Sequence, residues 1–227
     1  MRVLLQIALD ILTKEEVRSL ICPEVLSAVD IVEVGTPLIV RYGLSMVEKV
    51  KEWTDGRKLI FADTKIVDAG RWETTEALAA GADLVSVLAG ASPFTLEEVR
   101  EQTRTANALM VVDTIDLFPH DTGKIDYLRH LQPDYLCLHL STDAVKKGKT
   151  LLDFSRELPF AADHSLPLMM AGGVKLSNLQ EILQNTLPAV VVAGSSLTGV
   201  SDPGESAHSM RRIIDEFVFS RSDTRHL

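Results

Sequence analysis

Six residues combine side-chain type and spacing in a way that could do chemistry: Asp10, Glu33, Asp63, Lys65, Asp68 and His139. Asp63 and Lys65 stand two apart, so in extended backbone both project from one face of a strand. A lysine enclosed by Asp63, Asp68 and Asp10 is held in its charged form with its ammonium fixed in place. Such an ammonium can serve a developing anion, or it can belong to a structural ion-pair network. Glu33 and Asp63 form a hard-oxygen pair suited to Mg2+, which takes one or two carboxylates and fills its octahedron with water and substrate oxygens. No His or Cys set has the spacing of a zinc site. The remaining histidines, His120, His130, His164, His208 and His226, fall in helices, loops or the tail and are expected to be solvated.

These residues need strands to carry them. Short apolar runs alternate with longer segments of helical spacing. The strand candidates are Val3 to Asp10, Asp30 to Val34, Lys58 to Asp63, Asp83 to Leu88, Leu109 to Asp113, Asp134 to Leu140, Pro167 to Ala171 and Ala189 to Gly194. Helices are expected to begin near Thr13, Gly43, Gly70, Pro93, Asp121, Thr150, Ser177 and Asp202. Thr13 with Glu16, Thr95 with Glu98 and Ser177 with Gln180 have capping-box spacing, and Asp202-Pro203 places a cap before proline. The runs are nearly continuous in Val, Leu, Ile and Ala, as in a parallel sheet covered on both faces. Eight β/α units predict an α/β protein of one (β/α)8 TIM barrel over 1–219, with 220–227 as a polar tail. An open doubly wound sheet shares the alternation, but no Gly-rich dinucleotide loop follows the first strand. The segments Ala28 to Val32, Gly81 to Val85 and Gln132 to Leu136 resemble one another weakly, each leading into an even-numbered strand through Asp.

In a barrel the reacting groups belong at the carboxyl ends of the strands, where Asp10, Glu33, Asp63 and His139 all fall. An isolated carboxylate there serves as a cap or loop acceptor; the set together points to a site. Ala171-Gly172-Gly173 runs into a helix capped by Ser177, and Ala193-Gly194-Ser195-Ser196 follows the eighth strand. Glycines in these loops let backbone N–H groups approach a phosphate where barrels commonly bind one. A lone Gly-Gly is also a simple turn, so it is the pair of loops that predicts phosphate binding.

Composition narrows the partners. With 46% hydrophobic, 24% charged and 5% aromatic residues, the chain is globular and its core is aliphatic. A net charge of -9 without any basic stripe argues against a nucleic-acid surface, while a local site of amides, one lysine and a cation still accommodates a small anion. No apolar run approaches the ~20 residues of a membrane span, and MRVLLQIALD lacks a cleavable signal, so a soluble cytoplasmic protein is expected. Cys22 and Cys137 lie in apolar segments and are expected to be reduced.

The segments Leu5 to Asp10, Val32 to Ile39 and Ala62 to Gly70 resemble those of the orotidine 5'-phosphate decarboxylase superfamily. They are most similar to the branch holding 3-hexulose-6-phosphate synthase and 3-keto-L-gulonate-6-phosphate decarboxylase. The resemblance runs from the first strand through Asp202-Pro203, and its Asp-x-Lys-x-x-Asp motif is highly specific. It implies a barrel in which Glu33 and Asp63 hold Mg2+, Lys65 stabilises an enediolate and His139 transfers a proton. It also implies a homodimer in which Asp68 reaches the neighbouring site.

Both branch activities share a 1,2-enediolate of a pentulose 5-phosphate, reached by proton removal from ribulose 5-phosphate or by loss of CO2 from a keto-acid phosphate. The decarboxylase usually carries arginine three residues after its histidine and another in the last phosphate loop. Here Thr142 and Gly194-Ser195-Ser196 stand in those places. Aldol condensation of ribulose 5-phosphate with formaldehyde is therefore the implied reaction, with 3-keto-L-gulonate 6-phosphate decarboxylation as the alternative. A phosphosugar-binding module without chemistry ranks below both. Arg71-Trp72, His139-Leu140-Ser141 and the basic Lys146-Lys147-Gly148-Lys149 depart from the family pattern and bear on the choice of sugar.

Overall fold

Alternation along the first strand sets the architecture. In β1 (Leu4–Leu9), Leu5, Ile7 and Leu9 are buried under the outer helices, while Gln6 and Ala8 face the interior. Each fully buried leucine or isoleucine of this kind contributes roughly 1.5–3 kcal/mol. The computed structural model describes residues 2–115, 122–157 and 166–223. It contains seven further strands, β2 (Ile31–Val34), β3 (Leu59–Ile66), β4 (Leu84–Leu88), β5 (Leu109–Asp113), β6 (Tyr135–His139), β7 (Leu168–Ala171) and β8 (Val190–Ala193). All pair in parallel with their sequence neighbours, and β1 closes on β8 through Leu4 opposite Val190, so the sheet is a closed barrel. The open-sheet alternative is thereby excluded.

The outer layer comprises α1 (Lys14–Leu20), α2 (Pro23–Ala28), α3 (Thr36–Tyr42), α4 (Ser45–Trp53), α5 (Gly70–Ala79) and α6 (Pro93–Thr105). It continues with α7 (Thr122–Leu131), α8 (Thr142–Lys146), α9 (Leu151–Glu157), α10 (Leu176–Thr186), α11 (Ser195–Thr198) and α12 (Pro203–Asp223). The short helices α2 and α3 were not expected. Each opens with proline in its first turn, where the missing N–H is unneeded, but neither is long enough to show a helical period.

Capping is partly as expected. Thr13 and Glu16 form the reciprocal box, and the Asp202 carboxylate accepts from the Glu205 amide. At α6 the cap is Ser92 rather than Thr95, because Pro93 already occupies the first turn. At α10 the helix starts at Leu176, and the Asn178 side-chain Oδ1 accepts from the Lys175 amide, so Ser177 lies inside the helix. Helix α12 continues to Asp223, so part of the expected polar tail is helical.

The weak internal repeat acquires a physical meaning. Asp30, Asp83 and Asp134 each accept a backbone N–H from the preceding strand, from Leu5, Ile60 and Met110 respectively. Each also pairs with a cation from a helix: Arg211, Lys51 and Arg100. Three times, one carboxylate ties two strands and a helix together at the amino end of the barrel. That leaves the carboxyl end free of these staples.

Candidate active site

The period of two that buries the core also assembles the site. Ala8, Ile31, Phe61, Val111 and Cys137 pack together inside the barrel. Two residues further along the same strands stand Asp10, Glu33, Asp63, Asp113 and His139. Each therefore shares its strand's inward face, at the carboxyl end. Asp113 was not among the expected site residues, and it is central.

The Lys65 ammonium donates to both oxygens of Asp63, at 2.9 and 2.7 Å, and to Asp113 Oδ2 at 2.8 Å. His139 Nδ1 lies 2.8 Å from the same Asp113 oxygen. The other Asp113 oxygen accepts the Ile115 amide at 2.8 Å, so this carboxylate is fixed at both ends. Asp63 is also held by hydroxyls, with Ser86 donating to Oδ1 and Thr36 within 2.8 Å of Oδ2. Gln6 Nε2 donates to Glu33 Oε2 at 2.6 Å.

Lys65 reaches this position by a route other than the extended backbone expected. The β3 to β4 register shifts between Ala62 and Ile66, and Lys65 has a φ of 49°. The bulge is anchored on Ser86, whose hydroxyl accepts the Lys65 amide and whose carbonyl accepts the Thr64 hydroxyl. Asp68, expected beside the lysine, is exposed instead. The chain turns away after β3, and the Asp68 carboxylate accepts the Ala69 amide as α5 begins. The lysine's second carboxylate is Asp113.

Charges in the cluster are unequal. Burial would lower the Lys65 pKa, but Asp63 and Asp113 outweigh it and keep the ammonium charged. Burial pushes Asp113 up, yet its bonds to His139 and Lys65 bring it down to about 2. Burial pushes Glu33 well up, reinforced by Asp63 and Asp10, and Asp10 is raised by burial and by Asp63. Glu33 has no ion-pair partner among the described residues. One ammonium thus serves four carboxylates, which leaves a deficit of positive charge around Glu33.

Asp10 is seated by the absence of a side chain opposite it. A Cβ on Gly35 would lie 2.1 Å from Asp10 Oδ1. The expected phosphate loops stand at the same end. Gly172 has a φ of 101°, and a Cβ there would lie 2.1 Å from the Leu140 carbonyl oxygen, so glycine lets the β7 loop close onto the end of β6. Gly194 precedes α11, where Ser195 is exposed and the Ser196 hydroxyl is buried without a partner among the described residues. His130 and His208 are exposed, as expected, whereas His120, His164 and His226 lie outside the described residues. Cys22 and Cys137 are both free thiols.

A closed (β/α)8 barrel with its charged cluster at the carboxyl ends of the strands is the architecture of a barrel enzyme. The family model described as orotidine 5'-phosphate decarboxylase / HUMPS family matches residues 4–210. The 3-hexulose-6-phosphate synthase of Bacillus subtilis is 31% identical over 210 residues, 92% of this chain and 98% of that protein. A crystal structure of a 3-hexulose-6-phosphate synthase superposes with a TM-score of 0.83 at 33% identity, covering 92% of this chain and 99% of the other. The 3-keto-L-gulonate-6-phosphate decarboxylase from Vibrio cholerae shares the fold, with a TM-score of 0.82 at 22% identity over 96% and 99% of the two chains. The chain belongs to the orotidine 5'-phosphate decarboxylase / HUMPS family and is an enzyme of the lyase class. No helix among the described residues is long and apolar enough to cross a membrane.

Proposed function

We propose that this enzyme condenses D-ribulose 5-phosphate with formaldehyde to 3-hexulose 6-phosphate, reversibly, through a 1,2-enediolate. The observation that carries this reading is the His139–Asp113–Lys65 chain of contacts, in a protein similar over 92% of its length to one named 3-hexulose-6-phosphate synthase. Likeness to the decarboxylase structure, at 22% identity, speaks to fold alone.

Asp113, ionised at neutral pH, can only accept, so His139 Nδ1 carries the proton of their bond and Nε2 is left as the base. His139 Nε2 takes a proton from C1 of ribulose 5-phosphate. C1 then bonds to the formaldehyde carbon, the formaldehyde C=O electrons move to oxygen, and His139 returns the proton to that oxygen. Lys65 offers fixed positive charge to the anionic intermediate, at no reorganisation cost during the reaction. The amides around Gly172, Gly173, Gly194 and Ser195 bind the phosphate, and Asp10 offers an acceptor to a sugar hydroxyl.

Glu33 and Asp63 fit Mg2+. They are hard oxygen donors, and the burial and neighbouring carboxylates that push the Glu33 pKa well up are what a bound cation would offset. When bound, Mg2+ polarises the substrate oxygens and spreads the charge of the enediolate.

We further read the active form as a homodimer. Asp68 is exposed, as are the neighbouring Val67 and Trp72, and Phe94 opens the adjacent α6. A second chain would cover these apolar side chains and receive Asp68. The working compartment is the cytoplasm, and neither nucleic acid nor membrane is a partner.

Hydrogen exchange at C1 of ribulose 5-phosphate in deuterated water, with Mg2+, tests the reading. Exchange should vanish in His139→Ala and persist in His130→Ala; absence of exchange in wild type refutes the synthase assignment. A side-by-side assay with 3-keto-L-gulonate 6-phosphate decides between the two sugars.

A further inference from the structure

Gln6 is a polar side chain inside the barrel that the reaction above leaves unused. It is fully buried, one layer below the charged cluster, beside Ala8 and opposite Ile31 and Val192 in register. Its Nε2 donates to Glu33 Oε2 at 2.6 Å, and its Oε1 has no partner among the described residues. When Glu33 is ionised, as it must be to hold a cation, its carboxylate accepts and does not donate, so the NH2 group faces Glu33 and the carbonyl faces the apolar interior. An orphaned buried acceptor is a stability cost that an aliphatic residue of similar volume avoids. Apolar packing therefore gives no reason for glutamine here, whereas the bond to Glu33 does.

We propose that Gln6 is a positioning residue, whose buried amide holds the Glu33 carboxylate in the orientation in which it binds its ligand. The inference rests on the reading of Glu33 as a cation-binding carboxylate. Among the described residues Glu33 has no other hydrogen-bond partner: Lys65 is bonded to Asp63 and Asp113, and the Ser86 and Thr36 hydroxyls are bonded to Asp63. Without Gln6 the Glu33 side chain is free to change rotamer at the barrel mouth. Partners of this kind, one shell out from an ion, typically change metal affinity 10- to 100-fold when removed.

The test compares wild type with Gln6→Met and, should that variant not fold, Gln6→Leu. Two measurements are made on each protein: Mg2+ titration by calorimetry without substrate, and a crystal structure. The expected result is a melting temperature equal to or above wild type, Mg2+ affinity weakened about 10- to 100-fold, and Glu33 in an altered rotamer. Undiminished Mg2+ affinity in the variant overturns the proposal. If wild type itself binds no Mg2+, the cation reading of Glu33 and Asp63 fails separately. The crystal structure then decides the positioning role, and a Glu33 side chain unmoved in the variant overturns it.

Discussion

Replacing Asp113 by asparagine changes no volume and removes one charge, yet it should disable the site. Asp113 accepts at both oxygens, Oδ2 from Lys65 and His139 and Oδ1 from the Ile115 amide. Asparagine has a single acceptor oxygen. If that oxygen faces Ile115, the NH2 group meets the Lys65 ammonium and the His139 Nδ1–H. The imidazole then moves its proton to Nε2, the atom that must act as base. If the oxygen faces Lys65 and His139, the Ile115 amide meets another donor. A wrong tautomer in a histidine–carboxylate pair costs about 10⁴ in turnover, or roughly 5 kcal/mol in the barrier. Stability falls too. Asp113 is lowered from its ordinary 3.8 to about 2, which corresponds to about 2 kcal/mol at pH 7. Because the folded pKa is the lower one, this contribution is complete above pH ~4 and is lost as the pH falls through ~2. Asp113→Asn should therefore show turnover near 10⁻⁴ of wild type, with urea midpoints that differ at pH 7 and converge in strong acid. Turnover within tenfold of wild type, in protein shown to be folded by its circular dichroism, would refute the assignment of Nε2 as the base.

Gly35→Ala sets a Cβ 2.1 Å from Asp10 Oδ1 and 2.8 Å from the Leu9 carbonyl oxygen. It should cost about 1–3 kcal/mol as an overpacked contact, and Asp10→Ala in the same chain should restore part of the melting temperature. No recovery would show that the backbone, rather than Asp10, carries the clash. Lys65→Ala leaves Asp63 and Asp113 without their cation, so it should lower stability by about 3–5 kcal/mol at pH 7. The urea midpoints of variant and wild type should converge as acid protonates the carboxylates, and a constant gap from pH 7 to pH 3 would count against this pairing.

The barrel is legible because each strand is an almost unbroken run of Val, Ile, Leu and Ala, and because one alternation governs both packing and chemistry. That rule alone places Asp10, Glu33, Asp63 and His139 on the inward face. Asp113 obeys it equally, two residues beyond Val111 at the end of β5, but no lysine or glycine motif beside it draws the eye. The position of Lys65 follows from a different kind of information. A bulge depends on the register between β3 and β4 and on the Ser86 hydroxyl across the gap, and neither is local to the Asp-x-Lys-x-x-Asp motif. The same bulge separates Lys65 from Asp68 and hands the lysine to Asp113. Its chemical consequence is a shared atom: Asp113 Oδ2 accepts from both the Lys65 ammonium and His139. If Lys65 leans toward an anionic intermediate, Asp113 turns more fully to His139 and strengthens its hold on Nδ1–H. Stabilising the negative charge and keeping the proton-transfer nitrogen in its working tautomer are then two effects of a single displacement.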